Sequence, residues 1–246
     1  MKKLVAFLGL LGIMALPGIA VAEDSKPMGV YVGGHLGMSI ENFSGRKFID
    51  AGSGVSWSPG SKTDTAFGGG ISIGYDFEPQ LGVPVRLELD YTARTRGEAK
   101  SSGLYDDSAI TGEGPFDVTK KDSVSLQTLM LNAWVDIPTG TAFTPYLGGG
   151  VGFGFVNYKA RMGFVDTQGV VDSGSESSST NETNFAWSLG GGVAYDVTDN
   201  WTVDLGYRYI DAGKARVSFT DEDGTWGKSK AKVQTHDVMV GVRYTF

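Results

Sequence analysis

Beyond its first two dozen positions, the chain alternates apolar and polar residues with a period of two. That period belongs to a strand whose two faces meet different surroundings. Eight segments carry it: residues 29–40, 65–77, 83–95, 124–137, 143–156, 185–197, 201–209 and 233–246. Each reaches the roughly 9–11 residues of a tilted membrane-crossing strand. No window after the leader has convincing helical periodicity. The connectors alternate long and short. Residues 41–64, 96–123, 157–184 and 210–232 are long and polar, which on one face suggests strand extensions with mobile tips, whereas 78–82, 138–142 and 198–200 are short. Four long loops at one end and three short turns at the other predict an all-β fold: a closed antiparallel up-and-down eight-stranded transmembrane β-barrel, with extracellular loops and periplasmic turns. The even strand count places both strand ends of the chain on the short-turn side.

Alternation alone does not say which phase faces inward. A soluble carrier barrel is apolar inside, and a membrane barrel inverts this. The third segment sets Val83, Val85, Leu87, Leu89 and Tyr91 against Arg86, Glu88, Asp90 and Thr92. The seventh and eighth set Val203, Leu205, Val238, Val240 and Val242 against Asp204, Arg208, Asp237 and Arg243. The apolar phases carry no charge mid-strand, and aromatics gather at strand ends, as in the girdles of a membrane barrel. The polar phase has almost no lysine and mixes both charge signs with small residues, which suits a crowded lumen. Glycine occupies that phase at Gly148, Gly150, Gly152 and Gly154, and "GGG" recurs at 68–70, 148–150 and 190–192. The expectation is a lopsided lumen, with a glycine-lined sector opposite one bearing Arg86, Glu88, Asp90, Asp204, Arg208, Asp237 and Arg243. Desolvation requires these charges to pair, and Asp204 with Arg243 is one plausible pair. The network either fills the barrel or lines a selective pore.

The first residues stand apart. Lys2 and Lys3, the apolar run Leu4–Leu16 and the small residues Ala20-Val21-Ala22 predict a cleaved secretory signal over 1–22, leaving a barrel domain over 23–246. The formal net charge is −7, and loss of two lysines with the leader makes it −9. An acidic surface repels phosphate backbones and argues against nucleic acid. The absence of cysteine excludes disulfides and thiolate chemistry. No cofactor, metal site or catalytic residue is expected. The glycine runs lack the strand–loop–helix setting of a phosphate loop. His35 shares the lumen phase and His236 the lipid phase, and two scattered histidines make no metal site. His236 has no serine beside it on its own face to form a hydrolytic triad. Asp106, Asp107, Asp221, Glu222 and Asp223 are acidic loop clusters within reach of divalent cations that bridge lipopolysaccharide phosphates. Among the polar loops stand Phe43, Phe48, Trp57, Tyr105, Phe116, Phe164 and Trp226, which either contact a ligand or pack the hairpins together.

The last residues, Gly241-Val242-Arg243-Tyr244-Thr245-Phe246, resemble the assembly signal of bacterial outer-membrane barrels, with Gly241, Tyr244 and Phe246 as its marks. "LGYRYIDAG", Leu205 to Gly213, resembles the opacity-type, porin-like surface proteins. The resemblance implies a Gram-negative outer-membrane location, lipid and lipopolysaccharide around the barrel, and handling by the barrel-assembly machinery. It also implies a non-enzymatic surface antigen acting in adhesion or envelope integrity, with a host or extracellular ligand met through the loops. A narrow ion or solute channel is the alternative, and a lipid-modifying barrel enzyme is a remoter one.

Overall fold

The computed structural model describes residues 28–50, 56–58, 60–105, 116–166, 175–221 and 224–246. The leader expected over 1–22 and the start of the barrel domain at Glu23 lie outside the described residues. So do the clusters Asp106–Asp107 and Glu222–Asp223.

Ten strands and one helical turn follow in order: β1 (Val30–Asp50), β2 (Ser56–Trp57), β3 (Lys62–Asp76), α1 (Glu78–Leu81), β4 (Val85–Arg94), β5 (Gly97–Tyr105), β6 (Phe116–Asp136), β7 (Phe143–Asp166), β8 (Ser175–Asp196), β9 (Trp201–Asp221) and β10 (Gly224–Thr245). They make eight staves. β4 and β5 pair in succession with β6, so they form one interrupted stave, and β2 only extends the hairpin of β1. All neighbours are antiparallel, and β10 closes the ring on β1 from Tyr31 opposite Thr245 up to Asp50 opposite Gly227. From Ser39, the register runs through Asp237, Arg208, Gly190, Gly148, Trp134 and Arg86 to Asp76, whose N–H donates to the Gly29 carbonyl. The circuit closes about ten residues below its start, a stagger that tilts the staves by about 40°.

A band of apolar side chains circles the outside. Leu36, Phe67, Ile71, Leu89, Leu131, Val151, Leu189, Leu205 and Val240 are all exposed, and Phe185 is 64% exposed. The opposite phase buries Arg86, Asp90, Arg208 and Asp237. Oily surface outside and charge inside is the polarity of a barrel in lipid. Aromatic pairs rim the band. At the short-turn end Tyr75 meets Phe77, Phe143 meets Tyr195, and Trp201 meets Tyr244. At the other end Trp187 meets Tyr209, and Tyr209 meets His236. The turns at the first end are tight. α1 is closed by Gly82 at φ 66°, its N–H donating to the Glu78 carbonyl. Phe246 N–H donates to the Val30 carbonyl at this same end.

The staves do not stop at the upper rim. The long connectors 41–64, 96–123, 157–184 and 210–232 are largely strand, as extensions of the staves: β7 runs to Asp166, well past its last lipid-facing residue, Phe155. Above the band the polarity inverts. Leu126, Val156, Val217, Phe219, Ala231 and Val233 point inward and form one buried cluster, while Lys159, Arg161, Arg216 and Lys228 face outward. Two bulges reset the phase. The β1–β10 register shifts between Ser44 and Lys47, at Gly45 with φ 57°. The β9–β10 register shifts at Lys232/Gln234, beside Gly213 with φ 77°. Both angles lie in the left-handed region that glycine adopts without strain.

Candidate functional site

Three polar layers fill the interior. The lowest lies near the short turns. Arg86 on β4 donates through Nε (2.7 Å) and Nη2 (2.8 Å) to Asp136 on β6, and its guanidinium lies 5.0 Å from the Tyr146 ring centroid. Glu88 accepts from the Tyr31 hydroxyl and from Trp134 Nε1. Arg243 Nη1 stands 3.8 Å from Asp204 Oδ1 and caps the Tyr31 ring. A cavity of about 100 Å³ opens among these groups.

The middle layer crosses the barrel. Arg208 on β9 donates to Asp90 on β4 at 2.9 Å and to Thr92 Oγ1 at 3.1 Å. His35 Nε2 lies 3.0 Å from the same Thr92 oxygen. Arg208 also comes within 3.9 Å of Asp237 on β10, which takes two hydrogen bonds from Arg94 on β4. Thr235 donates to Asp237, and Arg94 Nη1 to Thr128. β4 and β9 stand four staves apart in a ring of eight, so this chain of charges is a bolt across the lumen. Arg94 and Asp237 are fully buried.

The upper layer sits above the lipid band. Arg46 Nε donates to Asp122 at 2.6 Å, and its Nη1 to Ser101 at 2.8 Å. The Tyr158 hydroxyl donates to Asp122 and pairs with Ser229. Lys120 Nζ lies 3.2 Å from Asp122. Burial pulls the lysine's pKa down from its ordinary value, and the Asp122 carboxylate opposes that pull. Phe43, Phe48 and Phe219 pack around this layer.

Of the seven lumen charges named from sequence, Asp90, Arg208 and Asp237 meet directly, Asp204 faces Arg243, and Arg86 and Glu88 find partners elsewhere. Their counterparts Asp136, Arg94, His35 and Tyr31 were not assigned to the network. Nor was the upper layer of Arg46, Lys120, Asp122 and Tyr158. Signals existed: Arg94 continues the phase of Arg86, Glu88 and Asp90, and Lys120 and Asp122 share the phase of Val124 and Leu126.

The glycine-lined sector is filled by neighbouring side chains. A Cβ on Gly148 would come 2.8 Å from Trp134 Cε3, one on Gly68 would meet Arg94 and Met239, and one on Gly190 would meet Arg208. These three glycines are each roofed by a bulky neighbour from the adjacent stave. Of the two alternatives for the loop aromatics, Phe43 and Phe48 take hairpin packing rather than ligand contact. They are buried inside the upper tube, Phe48 edge-on to Phe219 at 5.9 Å, because the hairpin interiors need apolar filling once the strands leave lipid. Trp57, Tyr105, Phe116, Phe164 and Trp226 lie on strands of the extracellular hairpins, and their side chains fall outside the described residues. Gly241 sits in the lumen near Asp204, while Tyr244 packs against Trp201 and Phe246 at the lower rim. His236 accepts or donates at Tyr207 (2.7 Å) in the upper girdle. Among the described residues, no group of three or more His, Asp or Glu is placed to hold a metal.

Lipid-facing band, paired girdles, closed ring and charged interior define a Gram-negative outer-membrane β-barrel. The chain belongs to the outer membrane protein beta-barrel domain family, whose profile matches residues 4–246. It is 36% identical over 238 residues to outer membrane protein PagN of Salmonella typhimurium, covering 92% of this chain and 93% of that one. It is 24% identical over 185 residues to a protein of Rickettsia bellii named as a candidate adhesin, covering 74% of this chain and 76% of that one. The outer membrane protein OprG from Pseudomonas aeruginosa superposes with a TM-score of 0.46 at 15% identity, over 90% of this chain and 98% of that one.

Proposed function

We propose that this is a non-enzymatic surface protein, released from its leader 1–22, that holds adhesive hairpin ends clear of the membrane. The observation that carries the reading is the upper tube. Staves continue past the lipid band around their own apolar core and their own buried Arg46–Asp122–Tyr158 cluster, although β8 and β9 pair no higher than Trp187 and Asp211 and β5 pairs with β6 alone. Lipid anchoring does not need that structure, but a pedestal for contact segments does. The naming of the Rickettsia relative supports an adhesive role. The bolt from Asp90 to Arg94 weighs against a channel. His236, packed at a tilt against Tyr209 and bonded to Tyr207, suits a girdle residue better than a base. Placement by the barrel-assembly machinery through Gly241, Tyr244 and Phe246 belongs to the same reading.

The test is expression on a non-adherent bacterium, with bacteria counted on cultured epithelial cells. Shortening the connections at 51–55, 106–115, 167–174 and 222–223 should abolish attachment, while the protein keeps the fast gel migration of an unheated folded barrel. Attachment unchanged after all four are shortened overturns the adhesive reading.

A further inference from the structure

On one side of the outer wall above the upper girdle, positive charge gathers in consecutive rows. On β10, Lys228, Lys230 and Lys232 occupy successive outward positions. Lys230 stands directly opposite Lys47 on β1 and Arg216 on β9, and Lys232 stands opposite Lys214. Six cations therefore lie in stacked rows over three adjacent staves. Lys214, Arg216, Lys228 and Lys230 are exposed. Among the described residues, two carboxylates approach. Asp211 binds Lys232 at 2.7 Å, and Glu182 accepts from the backbone N–H of Arg216. Among the described residues, Lys47, Lys214, Arg216, Lys228 and Lys230 have no ion pair. Like charges directly opposite on neighbouring strands destabilise the pairing. A surface built this way is relieved by a multivalent anion lying along it.

The height of the stripe selects the anion. Down β10 from Lys232, the same face presents Gln234, then His236 of the girdle, then Val238 in the lipid band. Four residues along a strand tilted by about 40° amount to a rise of about 10 Å. The lowest rows stand at the headgroup level of the outer leaflet, beside the wall rather than at the hairpin ends. We propose that the β9–β10–β1 face binds the phosphate groups of lipopolysaccharide, lipid A and inner core together, and so fixes one lipid against the barrel. This site is independent of adhesion and rests only on the outer-membrane location.

The test uses the folded full-length barrel in zwitterionic micelles, titrated with purified deep-rough lipopolysaccharide. Lys214→Gln/Arg216→Gln/Lys230→Gln should weaken binding by about tenfold or more. The control Lys62→Gln/Arg96→Gln/Lys100→Gln removes three exposed cations from other staves and should leave affinity unchanged. Dephosphorylated lipid A should bind the parent protein as weakly as intact lipopolysaccharide binds the stripe variant. If the stripe variant folds poorly, the parent's preference for phosphorylated over dephosphorylated lipid decides the matter alone. Equal binding by all variants, equal loss in the control, or indifference to lipid phosphate overturns the proposal. So does a stripe-dependent affinity for heparin without one for lipopolysaccharide, which would make the face a glycosaminoglycan site.

Discussion

At the scale of residues, the interior is organised by what an eight-stave ring has room for. Several large lumen side chains lie over a glycine on the next stave: Trp134 over Gly148, Arg208 over Gly190, Tyr31 over Gly74. The glycines are spaces for neighbours, which the sequence does not announce, because the partner sits on a stave set by register. Charges behave likewise. Alternation marks Arg86, Asp90, Arg208 and Asp237 as inward, but the partner of Arg86 is Asp136, at a strand end where phase carries little weight. The Arg94–Asp237 pair tests the energetics. Asp237→Leu leaves Arg94 buried with no carboxylate bonded to it among the described residues, and should cost about 3–5 kcal/mol. Arg94→Met should cost less, since Asp237 keeps Arg208 at 3.9 Å and Thr235. The double variant should recover part of the loss. Urea unfolding of the barrel in lipid vesicles measures all three, and additive costs would show that the two groups do not act as a pair.

At the scale of elements, the lower half of each stave was legible residue by residue, and the upper half only as an extension of unknown bounds and polarity. From Leu36 to Ile40, or Leu147 to Phe155, the oily phase faces lipid and the alternation is plain. Above the rim the apolar residues turn inward, bulges at Gly45 and Gly213 shift the phase, and serine and glycine dilute the pattern. A strand with inverted polarity and a phase slip shows no clean alternation, so only its place on the long-connector face marks it as an extension. The same inversion creates a testable element. Lys120 on β6 is buried beside Asp122, which already serves Arg46 and Tyr158. Its pKa is lowered by burial. The unfolded chain therefore keeps this proton up to the ordinary lysine value of about 10.4, while the folded chain gives it up sooner. Unfolding takes up protons in that interval, so this group makes stability rise with pH as 10.4 is approached from below. Lys120→Met should remove that rise and leave the barrel at least as stable at pH 7, because Arg46 still neutralises Asp122. Urea midpoints from pH 7 to pH 9.5 give the comparison, and an identical slope in both proteins would count against it.

At the scale of the whole molecule, the lumen is shut twice by different means. Within the membrane, the Asp90–Arg208–Asp237–Arg94 bolt spans from β4 to β9 and β10. Above it, Phe43, Leu126, Tyr158, Val217 and Phe219 close an apolar plug. An ion must break charge pairs at the first and leave its water at the second. The two closures act in series, so opening one leaves the path blocked. The parent protein should be silent in planar bilayers, and Arg208→Ala should be silent too, since the apolar plug is untouched. Truncating the plug alone, with Phe43→Ala/Phe219→Ala, should also leave the bolt in place and the bilayer quiet. Conductance should appear only when Arg208→Ala is combined with the plug truncation, in protein whose heat-modifiable migration confirms a folded barrel. Stable conductance in the parent that changes with Arg208→Ala would mean that the middle layer lines a pore. The upper tube would then be a vestibule rather than a pedestal.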